Sequence, residues 1–146
     1  MAAQTESSIT IAAPPDAVMA VIADMAAYPT WSDEVKEVEV ESVHEDAARR
    51  PAHVRFVLDA GAIKDEYTLA YEWDDDRAVR WTLVRAGMLT AMDGAYLLAG
   101  RPDGATDVTY RLLVDVKIPV IGMIKRKAEK VIVDRALKGL KKRVEA

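Results

Sequence analysis

Residues 108–145 read VTYRLLVDVKIPVIGMIKRKAEKVIVDRALKGLKKRVE, and a change of rhythm inside this stretch decides the fold. Up to Ile118 the apolar residues recur at every second position. Val108, Tyr110, Leu112, Val114, Val116 and Ile118 share one parity, while Thr109, Arg111, Asp115 and Lys117 hold the other. Side chains alternate across an extended strand, so this spacing predicts a strand with one buried face. Pro119 ends it, because proline donates nothing to a ladder. From Val120 to Glu145 the spacing becomes helical: Ile121, Ile124, Ala128, Val131, Leu137, Leu140 and Val144 fall along one stripe, with lysines and arginines opposite. A sheet with one apolar face needs a cover, and a long amphipathic helix needs a surface to lie on.

Upstream, the strand rhythm repeats. Val38 and Val40 alternate with Glu37, Glu39 and Glu41; Val54, Phe56 and Leu58 form another strand. Ile63, Asp65, Tyr67, Leu69, Tyr71 and Trp73 share one face of a long one, followed by Val79, Trp81 and Leu83. Asp74-Asp75-Asp76 predicts a hairpin turn without glycine, and Gly100 to Gly104 a second turn. Another strand runs through Met92, Tyr96 and Leu98, where Asp93-Gly94 suggests a bulge. At the start, Ile9 and Ile11 alternate with Ser8 and Thr10. Pro14-Pro15-Asp16 then opens a helix ending near Asp24, and Met25 to Asp33 reads as a second short helix or turn. The predicted architecture is α+β: a curved seven-stranded antiparallel sheet around a long C-terminal helix, with two short helices after the first strand. It forms one domain over residues 1–146.

Composition narrows the function classes. Of 146 residues 51% are apolar and 30% charged, the balance of a globular chain. Cysteine is absent, which removes disulfides, thiolate nucleophiles and Cys-based zinc sites. The net charge of −4 argues against nucleic acid as a partner. The first residues carry neither a basic segment nor an apolar core of a signal peptide, and no apolar run is long enough to cross a bilayer. A cytoplasmic monomer or weak dimer is the expectation.

Four stretches carry a family resemblance: residues 9–18 (ITIAAPPDAV), 28–31 (YPTW), 107–110 (DVTY) and 136–145 (ALKGLKKRVE). With the element order, they resemble the helix-grip fold of the START-like (SRPBCC) superfamily, which includes lipid-transfer domains, birch-pollen-allergen-like proteins and aromatic polyketide cyclases. More closely, the chain resembles the bacterial polyketide cyclase/dehydrase and lipid transport family. The resemblance spans nearly the whole chain. Its motifs mark fold elements; none is a catalytic signature. It implies a small hydrophobic ligand, lipid-like or aromatic, held between sheet and helix. The alternatives it implies are a polyketide cyclase or dehydratase acting in that cavity, and a protein-interaction accessory role.

The residues themselves supply candidates for such a site. Tyr67, Tyr71, Trp73, Trp81, Tyr96 and Tyr110 fall on inward positions of four strands, where so many polar-tipped rings would each need a partner in a dry core. The predicted ligand-binding set is Tyr67, Tyr71, Trp81, Met88, Met92, Tyr96, Tyr110, Leu112, Val114, Ile121 and Ile124, with the pocket toward the Pro119 end. Asp65 and Tyr67 are the weak catalytic candidates; Asp65 reads either as a carboxylate on the concave side or as a solvated strand start. His44 and His53 read as surface residues without metal-ligand spacing, so neither metal nor cofactor is expected. Asp93 reads as a residue at the pocket mouth. The cluster Lys125, Arg126, Lys127, Lys138, Lys141, Lys142 and Arg143 makes the outer face of the last helix basic. That is a solvated face, or one for peripheral contact with anionic lipid but not for membrane insertion.

Overall fold

The computed structural model describes residues 4–46, 48–59, 61, 64–117 and 122–146. Among these residues seven strands are formed: β1 (Thr5–Ile11), β2 (Val35–Val43), β3 (Pro51–Asp59), β4 (Lys64–Asp74), β5 (Ala78–Ala86), β6 (Leu89–Gly100) and β7 (Thr106–Val116). They make one antiparallel sheet in the order β1-β7-β6-β5-β4-β3-β2, a meander from β2 to β7 whose last strand takes β1 on its free side. Helix α1 (Pro15–Ala23) and a 3-10 helix (Met25–Thr30) join β1 to β2, and the long helix α2 (Gly122–Glu145) follows β7. This is the α+β architecture that the periodicities predict. Ile63, Ile118, Pro119, Val120 and Ile121 lie outside the described residues. No helix among the described residues is long and apolar enough to cross a membrane.

Local chemistry explains the connections. Pro15 sits in the first turn of α1, where a missing N–H costs nothing. Within the 3-10 helix Pro29 is tolerated because the segment is short, and the Tyr28 hydroxyl ties it back to α1 by donating to the Ile22 carbonyl. The glycine-free β4–β5 turn closes through Arg77 N–H on Asp74 O (3.0 Å), with Asp75 at φ 46°, a conformation that aspartate accepts more readily than most residues.

Helix α2 packs on β1, β7 and α1. Its buried side is Glu129, Ile132, Val133, Leu137 and Leu140, which corrects the predicted stripe: Ile124 is 49% exposed and Val131 only half-buried. Glu129 causes the difference, since a glutamate interrupts the apolar pattern as read from sequence. Its carboxylate is 1% exposed, accepting from Thr5 Oγ1 at 2.8 Å and from the Val114 N–H at 2.7 Å. The β1 ladder on β7 ends at Thr5–Leu112, so Val114, two residues on, has no strand to bond on that side. Glu129 supplies the acceptor that β1 does not.

The bulge expected at Asp93-Gly94 is also corrected. Both residues pair regularly, Gly94 with Trp81 and Leu112, and the irregularity falls between Leu89 and Ala91. The glycine answers a different need. A Cβ on Gly94 would lie 2.3 Å from the Trp81 ring, so only glycine lets the indole fold across β6. Asp93 points outward and is exposed.

These contacts set two expectations for stability. Glu129→Ala strands a buried N–H and should cost about 2–4 kcal/mol, whereas Glu129→Gln, which keeps an acceptor, should cost less than half of that. Gly94→Ala must displace a rigid ring and should cost about 3 kcal/mol, with a changed tryptophan emission spectrum. Urea unfolding of the three variants against the parent measures both; a neutral Glu129→Ala would remove the role given to the carboxylate.

Candidate functional site

The concave face of the sheet and the inner side of α2 enclose a cavity of about 80 Å³. Eight aromatic residues line it: Tyr28, Trp31, Phe56, Tyr67, Tyr71, Trp81, Tyr96 and Tyr110. The chain has nine aromatics in all, and only Trp73 stays outside. Apolar side chains from α1 (Ile22), β2 to β4 (Val35, Leu58, Leu69), β6 and β7 (Met92, Leu112) and α2 (Ile132, Ala136) complete the wall.

The rings touch in series. From Trp31 the chain runs to Tyr28 (centroids 5.1 Å apart), Phe56 (6.3 Å), Tyr71 (6.4 Å), Trp81 (5.8 Å) and Tyr110 (5.5 Å), and Tyr96 closes on Tyr110 edge-to-face at 4.6 Å. This order follows the strands, because alternate residues of neighbouring strands are brought opposite each other: Phe56–Tyr67, Tyr71–Trp81 and Tyr96–Tyr110 are register pairs.

The polar tips of these rings set the chemistry. Tyr28 is bonded to Ile22 O. Among the described residues the hydroxyls of Tyr67, Tyr71, Tyr96 and Tyr110, and the Trp81 indole N–H, meet no protein partner. Yet no buried side-chain nitrogen or oxygen is both fully enclosed and unpaired there. These tips therefore keep contact with open space, and the space their side chains line is the cavity. Burial raises the pKa of all five tyrosine hydroxyls above the ordinary phenol range, and for all but Tyr110 a neighbouring phenol adds to it. They stay neutral, able to donate and accept hydrogen bonds but unsuited to act as phenolate bases.

One carboxylate reaches the wall. Glu34, immediately before β2, is 8% exposed and accepts from Arg135 Nη1 of α2 at 2.7 Å. Most of the lining is buried; the half-buried members are Tyr28, Trp31, Ser32, Val35 and Ala136, which place the mouth between the 3-10 helix and the middle of α2. Trp31 lies across α2 at Gly139, where an added Cβ would stand 3.3 Å from both the ring and the Trp31 carbonyl. The α2 residues of the wall, Ile132 and Ala136, lie about three to four turns from the start of the helix, whereas the predicted location near Pro119 falls on residues outside the described ones.

Of the predicted set, Tyr67, Tyr71, Trp81, Met92, Tyr96, Tyr110 and Leu112 come together in this wall. Met88, 42% exposed in the β5–β6 turn, and Ile124, on the outer side of α2, do not line it; Val114 is buried behind it, and Ile121 lies outside the described residues. Asp65 does not face the cavity either. Its carboxylate accepts the N–H groups of Gly87 (3.1 Å), Met88 (2.8 Å) and Leu89 (2.9 Å), holding the β5–β6 turn. His44 Nε2 bonds the Tyr71 carbonyl and His53 Nδ1 bonds Ser42, both away from the cavity. Among the described residues no group of three or more His, Asp or Glu side chains is placed to hold a metal ion.

Sequence reasoning misses Tyr28, Trp31, Ser32 and Glu34 at the mouth. Residues 28–31 are legible as an aromatic anchor, but not as the gate of a site, because only the tertiary fold brings them opposite α2.

Known structures share this fold. A START superfamily protein from Mycobacterium smegmatis superposes with a TM-score of 0.89 at 20% identity, over 99% of this chain and 98% of that one. A protein from Thermus thermophilus gives 0.78 at 24% identity, covering 97% of each chain. The ZhuI aromatase/cyclase of Streptomyces sp. R1128 gives 0.77 at 18% identity, over 97% of this chain and 93% of that one. At such identities the likeness establishes the fold alone. No curated protein matches the sequence. The family model described as polyketide cyclase / dehydrase and lipid transport matches residues 2–145, and the chain belongs to that family.

Proposed function

We propose that the chain binds a small hydrophobic ligand, lipid-like or of aromatic polyketide type, in the cavity between the sheet and α2. The observation that carries this reading is that four buried tyrosines, all on one cavity wall, have hydroxyls with no protein partner among the described residues. Buried polar groups nearly always find hydrogen bonds. A ligand hydroxyl or carbonyl, or ordered water in its place, answers four such groups; a dry core does not.

The size of the cavity constrains how binding occurs. About 80 Å³ is half of the ~150 Å³ that admits benzene in an engineered apolar cavity. A ring system or acyl chain therefore enters by moving the wall. The yielding part is the mouth: Trp31 rests on α2 through its contact at Gly139, and Glu34 reaches α2 through an ion pair whose arginine side chain is 64% exposed. The arginine half of that pair already stands in solvent, so this side can open by letting water replace Arg135 at Glu34 while the strand registers stay intact.

The same hydroxyls support a second reading, cyclisation or dehydration of a bound polyketide-like substrate. The family description and the aromatase/cyclase neighbour favour it. Neutral phenols aimed into an apolar cavity can stabilise a developing enolate oxygen while the wall holds the chain in a reactive shape. Proton abstraction would need a base, and the lining carboxylate, Glu34, is engaged by Arg135.

Organic extraction of the purified protein followed by mass spectrometry should return a hydrophobic molecule in near-stoichiometric amount. 1-Naphthol titration, read by tryptophan quenching, should saturate; Tyr96→Phe and Tyr110→Phe should each weaken it by about 3- to 10-fold, as expected for one hydrogen bond. Because these hydroxyls have no protein partner among the described residues, both variants should keep their unfolding free energy within about 0.5 kcal/mol. An empty extract with no saturable binding of naphthol or fatty alcohols would refute the reading.

A further inference from the structure

We infer that the groove outside the cavity mouth is an anion subsite, holding the carboxylate or phosphate of a ligand whose apolar part occupies the aromatic cavity. The inference rests on the ligand-binding reading above and adds the ligand's charge to it.

The groove, about 590 Å³, lies between the segment Thr30–Glu34 and the C-terminal half of α2. It shares Trp31, Ser32 and Glu34 with the cavity, so a molecule spanning the mouth occupies both. Its charged side chains are Arg135, Lys138, Lys142 and Arg143 on α2, facing Asp33 and Glu34. Four cationic against two anionic side chains leave a local excess of positive charge, larger than a main-chain carboxylate at Ala146 on the same groove would offset, in a chain whose net charge is −4. Bulk electrostatics does not place it there.

Pairing sharpens the point. Elsewhere along α2, Lys125 pairs with Asp115 at 2.8 Å, Lys130 with Asp134 at 2.9 Å and Lys141 with Glu145 at 2.6 Å, while Arg126 and Lys127 near its start are exposed, without a carboxylate partner among the described residues, and do not line the groove. In the groove Arg135 is taken by Glu34. Among the described residues Lys138, Lys142 and Arg143 have no carboxylate partner, and they share the groove. Helix polarity is the simpler account of basic residues near a C-terminus. It covers Lys142 and Arg143 in the last turn of α2, but not Lys138 a turn earlier or Arg135 before that. Nor does the dipole forbid an anion here, because its ~0.5 negative charge is smaller than the side-chain excess.

The inner cavity explains why the charge must sit outside. It holds neutral hydroxyls and, at its rim, one carboxylate already paired, so it offers a buried anion no cation of its own. Taking a carboxylate or phosphate into it would cost several kcal/mol uncompensated. An amphipathic anion placed with its tail inward and its head in the groove avoids that cost.

The test compares decanoate, decyl phosphate and decanol, which share a tail and differ in the head, by tryptophan quenching. Both anions should bind at least about tenfold tighter than decanol. The triple variant Lys138→Gln/Lys142→Gln/Arg143→Gln should reduce that preference to less than about twofold, with decanol as the reference in each protein. In the parent protein the preference should also shrink between about 20 mM and about 500 mM salt, a readout that does not depend on the variant folding. The ratio of decanoate to decyl phosphate assigns the head group. Saturable decanol binding with no anion preference, or a preference that survives the triple variant or high salt, would overturn the subsite and leave the ligand reading standing. If none of the three binds, the subsite falls, and the ligand reading is decided separately by the naphthol titration and the extract.

Discussion

A single buried carboxylate sets the rotation of α2, and most of what the protein presents depends on that rotation. Glu129 accepts from Thr5 in β1 and from the backbone of Val114 in β7, so it is held from two strands at once. With residue 129 inward, the 3.6-residue period brings Ile132 and Ala136 to the cavity and Leu140 to the core. Arg135 then meets Glu34, and Gly139 lies against Trp31. A shift of one position, about 100°, would instead bury Ile124, Ala128 and Val131 and carry Arg135 and Lys142, which share the face of Ala128, toward the core. An apolar residue at 129 would bury as well but would leave the Val114 N–H unbonded. A polar choice inside an apolar stripe is therefore what specifies the helix face.

The second constraint is steric and concerns the floor of the cavity. Five polar-tipped rings, Tyr67, Tyr71, Trp81, Tyr96 and Tyr110, crowd the concave side of four adjacent strands, β4 to β7. They fit because Gly94 has no side chain, so the Trp81 indole lies flat over β6 and leaves edge-on room for Tyr96 and Tyr110. Side chains of this size fill the space between sheet and helix almost completely, which is why only about 80 Å³ remains. What they do not fill is the demand for hydrogen bonds at their tips.

How much of this is legible in the sequence follows from which interactions are local. Strand faces depend on a period of two, so the inward set from Tyr67 to Leu112 can be read directly, and seven of its members do meet in one wall. Helix phase is harder, because one glutamate that belongs inside looks like evidence for the opposite face. A reading by period misplaces Ile124 and Val131 for that reason. By parity Asp65 looks like a pocket residue, whereas its actual partners, the three N–H groups of Gly87 to Leu89, are more than twenty residues away. Gly94 announces a special backbone position; the ring that needs it comes from another strand and leaves no trace in the local pattern. The mouth is the least legible part, since Trp31, Glu34, Arg135 and Gly139 are brought together only by the docking of α2.

Placement of charge divides the region into two environments with different selectivity. Inside, burial keeps the phenols neutral, so the wall can distinguish shape and neutral hydrogen-bonding groups but cannot reward a charge. Outside, solvent-accessible lysines and arginines reward negative charge but carry little shape information. Between them stand one indole and one ion pair. Strengthening that partition would close the cavity to anything larger than water; removing it would flood the phenols and satisfy them with solvent. Neither the ion pair, whose arginine stands in solvent, nor the aromatic contact on a glycine belongs to the sheet, so both can yield to a ligand without disturbing a strand register. In the proposed reading the selectivity of the protein therefore depends less on any one lining residue than on this partition. It requires a ligand to satisfy the phenols and the cations together before it repays opening the wall.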